Sequence, residues 1–138
     1  MNYFNELKEA KMLLVDDDEF IRDSLRIAFS NKGCCIQAAE TAEEGLEAIK
    51  SAKYDIIISD LRLPGKCGLE FLKAVRTAHP ETLCVLITAY RDIHVSSEAS
   101  AIGIHDFIEK PFSIGVLVQS LAQLIKSRRQ NQVGSVAS

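Results

Sequence analysis

The sequence lacks the segments that would carry a protein to or across a membrane. Residues 1–8, MNYFNELK, contain no basic region followed by a long apolar one, which a secretory signal peptide requires. No apolar run elsewhere approaches the roughly 20 residues of a membrane-spanning helix. We therefore expect a cytoplasmic protein that makes no contact with a membrane.

The four cysteines of the sequence do not have the spacing of a disulfide framework or of a metal site. The four cysteines form no CxxC pair, and none of the three histidines stands at zinc-ligand spacing. Cys34 and Cys84 fall in apolar runs, where free cysteines are commonly buried as small hydrophobic residues. We expect free thiols in a reducing compartment and no structural zinc site.

Positive charge is not in excess either. The 16 lysines and arginines are outnumbered by 19 acidic residues, which gives a formal net charge of −3. Because nucleic-acid binding depends on neutralising phosphates with a basic surface, we do not expect this domain itself to bind DNA or RNA.

The remaining composition is typical of one globular domain with its own core. The chain has 138 residues, of which 47% are hydrophobic and 25% are charged. We assign residues 11–127 to the folded domain. Residues 1–10 are read as a polar lead-in that docks through Phe4 and Leu7. Residues 128–138 are polar and contain glycine and serine, so we predict a flexible tail or linker.

Short apolar runs alternate with stretches of helical periodicity along the whole domain. This alternation predicts an α/β fold, (βα)5, with a five-stranded parallel sheet covered by helices on both faces. Right-handed crossovers leave few topologies, and the doubly wound, flavodoxin-like strand order 2-1-3-4-5 fits best. The predicted strands are Met12–Val15, Cys34–Ala38, the segment around Ile56–Ile58, Leu83–Ile87 and His105–Ile108.

Helix signals are clear in most of the intervening stretches. In the first helix, Phe20–Phe29, the periodicity turns Ile21 and Leu25 inward and Arg22 outward. Residues 41–44, TAEE, form a capping box that begins the second helix.

The third and fourth helices depart from the usual pattern. Cys67 stands at the start of the third helix, where a thiol is a poor cap. The fourth helix, Asp92–Ala101, carries Ser97 and Ser100, and each serine lowers helix propensity and buries little apolar surface. We therefore predict a short, mobile or shifted fourth helix.

Polar residues follow four of the five predicted strands. Asp16 and Asp17 follow the first strand, Asp60 the third, Thr88 the fourth and Lys110 the fifth. Parallel strands end at one edge of the sheet, so these groups should share one crevice. Clustered carboxylates repel one another, and a hard divalent cation such as Mg²⁺ relieves that repulsion with oxygen ligands. A carboxylate in such a site can also act as a nucleophile toward a phosphoryl group.

Four motifs at these strand ends resemble those of one known family. The chain looks like a response-regulator receiver domain of two-component signalling, in the CheY-like superfamily, over about residues 11–127. The motifs are Leu13–Asp17, Asp55–Gly65, Leu86–Ala89 and Asp106–Phe112.

The resemblance implies a role for each acidic residue. Asp60 would be the phosphoacceptor, the residue that is modified, and would also be a Mg²⁺ ligand. Asp17 would bind Mg²⁺ directly, and Asp16 mainly through water. The backbone carbonyl of Arg62 would supply one more metal ligand.

The resemblance also implies how the phosphoryl group is held and reported. Thr88 would hydrogen-bond the phosphoryl group, and Lys110 would pair with one of its oxygens. Phe107 would be the switch aromatic that moves when Thr88 is drawn inward. A cis peptide bond is implied between Lys110 and Pro111.

The partners implied by the resemblance are other signalling proteins. The phosphoryl donor would be a sensor histidine kinase or a phosphotransfer protein. Phosphorylation would change the surface of helix 4, strand 5 and helix 5, commonly into a homodimer interface. The motif His105–Phe112 is similar to receivers attached to transcription activators, so DNA would be reached only through an effector domain that is not present here. The resemblance also implies that the receiver domain catalyses its own phosphorylation and dephosphorylation but is not a turnover enzyme.

Two other functions are compatible with parts of the pattern. Asp16-Asp17-Asp18 contains the Asp-x-Asp of haloacid-dehalogenase-type phosphatases, although Phe20 stands where that family has Thr or Val. Alternatively, the chain is a receiver-like adaptor that binds partners without being phosphorylated. Such adaptors usually lack one of the key groups, and this sequence keeps all of them.

Overall fold

A computed structural model describes residues 2–89 and 93–137 of the chain. The strands in these ranges are β1 Lys11–Val15, β2 Cys35–Ala39, β3 Ile56–Asp60, β4 Arg62–Leu63, β5 Lys66–Cys67, β6 Leu83–Thr88 and β7 Asp106–Glu109. The main sheet has five parallel strands in the order β2-β1-β3-β6-β7, and β4 and β5 form a separate two-stranded hairpin. Because β6 and β7 are the fourth and fifth predicted strands, the predicted order 2-1-3-4-5 is confirmed.

Five α-helices connect or follow the strands of the main sheet, and a short 3₁₀ helix, Tyr3–Leu7, precedes them. The α-helices are α1 Glu19–Asn31, α2 Ala42–Ser51, α3 Gly68–Ala78, α4 Ile93–Ile102 and α5 Ile114–Ala137. The capping box is present in part, because the Thr41 hydroxyl accepts from the Glu44 amide at 3.1 Å. Glu44 reaches back to the amide of Glu40 rather than to that of Thr41.

The core lies on both faces of β3, the central strand. Ile56 and Ile58 pack into one hydrophobic cluster with residues of α1 and α5. Ile57 packs into the other, on the side of α2, α3 and α4. All three side chains are at most 1% exposed, and burying one such side chain stabilises the fold by about 1.5–3 kcal/mol. This burial fixes the strand that carries Asp60.

The segment after Asp60, which the sequence predicts as a loop, contains the small β4–β5 hairpin. Its turn is made by Pro64 and Gly65, and Gly65 adopts a φ of 72°, which favours glycine. Cys67 then occupies the N-cap position of α3 without making a side-chain capping hydrogen bond, as its thiol predicts.

Segments near both ends of the chain contact the rest of the domain. Leu7 is fully buried, and the Phe4 ring packs edge-on against Phe29 at 5.4 Å between centroids, so the predicted docking of the lead-in is confirmed. Helix α5 continues to Ala137, so residues 128–137 are helical, and the flexible tail or linker over residues 128–138 stays a prediction. Two ion pairs hold the start of this segment against the domain: Arg128 lies 3.0 Å from Asp55, and Arg129 lies 2.8 Å from Glu6. The predicted domain boundaries otherwise stay a prediction.

Helix α4 makes the weakest contact with the core. Of its ten residues only Ala99 is buried. The predicted first residue of this helix, Asp92, lies outside the described residues, and the prediction that the helix is mobile or shifted stays a prediction.

All four cysteines are free, with Cys34 and Cys84 buried as expected. Within the described ranges, no helix combines the length and the apolar character needed to cross a membrane.

Candidate functional site

Three carboxylates meet at the carboxyl edge of the main sheet. Asp16 follows β1 and Asp60 is the last residue of β3, and both are buried, with 0% and 7% exposed. Asp17 stands beside them and is exposed. One carboxylate oxygen from each residue lies within 4.8 Å of the others. The convergence predicted from the strand ends is therefore present.

Lys110 places its ammonium group between two of these carboxylates. Its Nζ atom donates to Asp60 Oδ2 at 3.1 Å and lies 3.1 Å from Asp16 Oδ2. Burial by itself lowers the pKa of Lys110, but the adjacent carboxylates of Asp16 and Asp60 together outweigh it, so the pKa is raised and the lysine stays protonated. Burial raises the pKa of Asp16, and the charge of Asp60 adds to this effect.

Backbone hydrogen bonds between neighbouring strand ends hold these groups in place. The Asp16 amide donates to the Ala39 carbonyl at 3.0 Å, which ties the end of β1 to β2. The Leu61 amide donates to the Ile87 carbonyl at 3.0 Å, which ties the end of β3 to β6. The Lys110 amide donates to the Thr88 carbonyl at 2.8 Å. The site is thus built on the sheet, with little backbone freedom.

The donor set fits a hard divalent cation. Asp16 Oδ2 is buried and accepts no hydrogen bond from the residues that the structure describes, although the Lys110 ammonium is in ion-pair contact with it at 3.1 Å. A buried carboxylate oxygen without a donor is costly unless a cation neutralises it. Oxygen ligands alone, with one carboxylate open to water as Asp17 is, suit Mg²⁺. The role of the Arg62 carbonyl stays a prediction.

The two predicted switch residues lie on adjacent strands beside the site. Thr88, the last residue of β6, is 1% exposed, one register position beyond the Ile87–Asp60 pair. Phe107 is half-buried in β7 opposite Leu86 and packs against the cluster on the α2, α3 and α4 side. The Lys110–Pro111 bond is cis, as the resemblance implies. The roles of Thr88 and Phe107 in switching stay predictions.

Two residues beside the site have positions that periodicity alone did not predict. The sequence places Arg22 on the outer face of α1, but its side chain is partly buried and Nη1 donates to the Asp16 carbonyl at 2.9 Å. Phe20, at the start of the same helix, is 77% exposed and lines a groove that reaches Lys110. Tyr90, close to the site in sequence, lies outside the described residues.

Comparison with known proteins gives one consistent assignment. Residues 12–122 match the family described as response regulator receiver domain. The chain is 34% identical over 119 residues to the DNA-binding transcriptional regulator NtrC of Escherichia coli K12, covering 86% of this chain and 25% of that protein. It thus spans about a quarter of the length of that curated relative.

Solved structures give the same result. A CheY-like receiver domain protein from Methanospirillum hungatei JF-1 has a TM-score of 0.85 at 25% identity, over 88% of this chain and 98% of that one. The solution structure of the beryllofluoride-activated NtrC4 receiver domain dimer has a TM-score of 0.79 at 25% identity, over 86% and 98%. The match favours a receiver over the haloacid-dehalogenase-type phosphatase. The chain belongs to the response regulator receiver domain family of two-component systems.

Proposed function

We propose that this domain accepts a phosphoryl group on Asp60 from the phosphohistidine of a sensor histidine kinase or a phosphotransfer protein. One observation carries the proposal. The Lys110 ammonium contacts the buried carboxylates of Asp16 and Asp60, with an oxygen of Asp17 within 4.8 Å of theirs. A nucleophile, a cation for the phosphoryl oxygens and a metal-binding set therefore lie within one crevice.

The chemistry is a single displacement at phosphorus. A carboxylate oxygen of Asp60 attacks, a P–O bond forms, and the P–N bond of phosphohistidine breaks with its electron pair leaving on the imidazole. Lys110 moves from the free carboxylate to an oxygen of the bound phosphoryl group, and Thr88 donates its hydroxyl to another. Mg²⁺, held by Asp16, Asp17, Asp60 and the Arg62 carbonyl, would neutralise the charge of the phosphoryl oxygens.

The donor protein reaches Asp60 over an apolar groove beside Lys110. This groove has a volume of about 590 Å³ and runs between the start of α1 and the start of α5. Phe20 stands at its rim with 77% of its surface exposed. An exposed aromatic residue beside a reactive group is typical of the anchor of a protein–protein contact. Its apolar lining includes Phe20, Ile21, Ala89, Pro111, Phe112 and Ile114.

The output is a change in the surface formed by α4, β7 and α5. Thr88 is drawn toward the phosphoryl group, Phe107 follows, and the equilibrium between two surface conformations shifts. Helices α4 and α5 carry the exposed apolar residues Ile93 and Val116, which are 77% and 55% exposed. The activated NtrC4 receiver is a dimer, which supports a homodimer here. Control of transcription would require an effector domain such as the DNA-binding regulators carry.

Intact-mass measurement after incubation with acetyl phosphate and Mg²⁺ tests the proposal directly. We expect one added phosphoryl group in the wild type, and none after Asp60→Asn or when the metal is chelated. Asp55→Asn, which makes the same change near the other end of β3, is the matched control and should retain the adduct.

Two results would overturn this function. An adduct that persists in Asp60→Asn would mean that another residue is the acceptor. A wild type that gains no phosphoryl group and binds no beryllofluoride would favour the adaptor that acts without phosphorylation.

A further inference from the structure

Arg22 is tied to the backbone of the acidic loop that follows β1. Its Nη1 atom donates to the carbonyl oxygen of Asp16 at 2.9 Å, and the contact is partly buried. Side chains of a helix lean toward its N-terminus, so a long side chain in the first turn of α1 reaches back over the preceding loop. Asp18 holds that first turn, because its Oδ1 accepts from the Phe20 amide at 2.9 Å.

This contact fixes a peptide group that joins two of the proposed metal ligands. The carbonyl of Asp16 and the amide of Asp17 belong to one planar peptide unit. The Asp16 amide is held by the Ala39 carbonyl at 3.0 Å, and the Asp16 carboxylate accepts from the Asp18 amide at 2.9 Å. Arg22 adds the bond that sets the plane between Asp16 and Asp17. The orientation of that plane sets the direction in which the exposed Asp17 side chain leaves the backbone.

We propose that Arg22 is a positioning residue for the cation site: it orients the Asp16–Asp17 peptide group so that both carboxylates converge on Asp60. This inference rests on the proposed function, because it concerns the Mg²⁺ that the phosphorylation reaction uses. Hydrogen-bond partners that orient metal ligands from behind are worth roughly 10- to 100-fold in metal affinity. Arg22 acts through Asp16 and does not itself contact the metal or the phosphoryl group.

Arg26 is the matched control, one helical turn further along α1. Its side chain is 56% exposed and forms an ion pair with Asp23, so it has the same charge and helix without a contact to the acidic loop. Removing Arg26 changes net charge as much as removing Arg22 does. Because the loss of a positive charge would by itself strengthen cation binding, weaker binding in Arg22→Met reports position and not charge.

Isothermal titration of Mg²⁺ at constant ionic strength tests the inference on the whole chain. We expect Arg22→Met to bind Mg²⁺ about tenfold more weakly than the wild type, Arg22→Lys to lie between them, and Arg26→Met to match the wild type. The acetyl phosphate reaction should need about tenfold more Mg²⁺ for half-maximal rate in Arg22→Met, while its rate at saturating Mg²⁺ stays close to that of the wild type.

Each outcome decides a separate point. Wild type that binds no Mg²⁺ would refute the metal site of the proposed function itself. Wild-type affinity in Arg22→Met, or an equal loss in Arg26→Met, would overturn the role of Arg22 and leave the proposed function intact. Circular dichroism without Mg²⁺ shows whether each variant is folded. If Arg22→Met does not fold, Arg22→Lys and Arg22→Gln decide the question by the same titration.

Discussion

Gly68 has no room for a side chain, because the backbone of Asp60 occupies the space. A Cβ atom at position 68 would lie 1.9 Å from the Asp60 carbonyl oxygen, far inside van der Waals contact. The Gly68 amide also donates to the Leu61 carbonyl at 2.6 Å. The start of α3 is thus packed directly on the end of β3, and Gly68 holds the strand end that presents Asp60.

Gly68→Ala should therefore move Asp60 and destabilise the fold. We expect a loss of about 1–3 kcal/mol in the free energy of unfolding, as for other overpacked positions, and slower phosphorylation by acetyl phosphate. Urea unfolding and intact mass measure the two effects. Gly115→Ala is the control, since its Cβ would lie at an ordinary contact distance of 3.9 Å from Ser113 Oγ. Equal stability and rate in both variants would contradict the packing argument.

Lys110→Met should destabilise the protein when Mg²⁺ is absent. Asp16 and Asp60 are buried, and among the described residues Lys110 is the cation in contact with both, so its removal takes away the charge that compensates these carboxylates. We expect a loss on the order of 3 kcal/mol in urea unfolding at neutral pH, as for a broken buried ion pair.

Added Mg²⁺ should restore part of the stability of Lys110→Met, because a cation that binds only the folded state stabilises it. Lys50→Met removes a lysine whose ion pair with Glu47 is exposed and should leave stability unchanged. A Lys110→Met protein as stable as the wild type without Mg²⁺ would show that the carboxylates do not depend on Lys110.

Phe20→Asp should separate phosphotransfer between proteins from phosphorylation by a small molecule. Phe20 is 77% exposed, so its loss should change the free energy of unfolding by no more than about 0.5 kcal/mol. Acetyl phosphate should still modify the variant at the wild-type rate. Transfer from a phosphorylated histidine kinase that serves the wild type should slow by about tenfold or more, since interface aromatics carry much of the binding energy.

Ile27→Asp supplies the comparison for Phe20→Asp. Ile27 is also an exposed apolar residue of α1, at 61%, but it does not line the groove beside Lys110. For both variants, the rate of phosphotransfer is measured as the loss of the labelled phosphoryl group from the phosphorylated kinase. Undiminished transfer to Phe20→Asp would move the donor contact to another surface.

Stability should fall in mild acid because of His105. The Cys84 amide donates to His105 Nδ1 at 3.0 Å, a bond that requires a neutral ring. Burial and the charge of Arg76 lower the pKa of His105 below its ordinary 6.5. The neutral form therefore stabilises the fold above pH 6.5, and this contribution is lost as pH falls through the lowered pKa of the folded state.

His105→Asn keeps an acceptor for the Cys84 amide but cannot be protonated. Urea unfolding from pH 7.5 down to pH 5 should show a smaller loss of stability in this variant than in the wild type. The raised pKa of Asp16 acts in the opposite direction, favouring the fold as pH falls, and it is common to both proteins. His79→Asn controls for the loss of a histidine. An identical pH dependence in wild type and His105→Asn would contradict the role of this bond.

The sequence by itself determined the order of elements and the edge at which the chemistry lies. Three consecutive buried isoleucines required a central strand with two covered faces, and alternation with helices required a parallel sheet. Because all parallel strands end at one edge, the positions of Asp16, Asp60 and Lys110 after their strands were enough to bring them together. The strand and helix signals are local in the sequence, and the parallel topology determines where they place these residues in space.

Tertiary structure alone decided contacts that depend on how far a side chain reaches or on what fills a space. Periodicity turns Arg22 outward, but the loop behind α1 offers a carbonyl that its guanidinium can bind. Composition predicts a tail over residues 128–138, but ion pairs with Asp55 and Glu6 hold the start of that segment against the domain. Both cases involve polar partners distant in sequence or lying outside the helix itself. Hydrophobic periodicity records which side faces the core and contains no information about those partners.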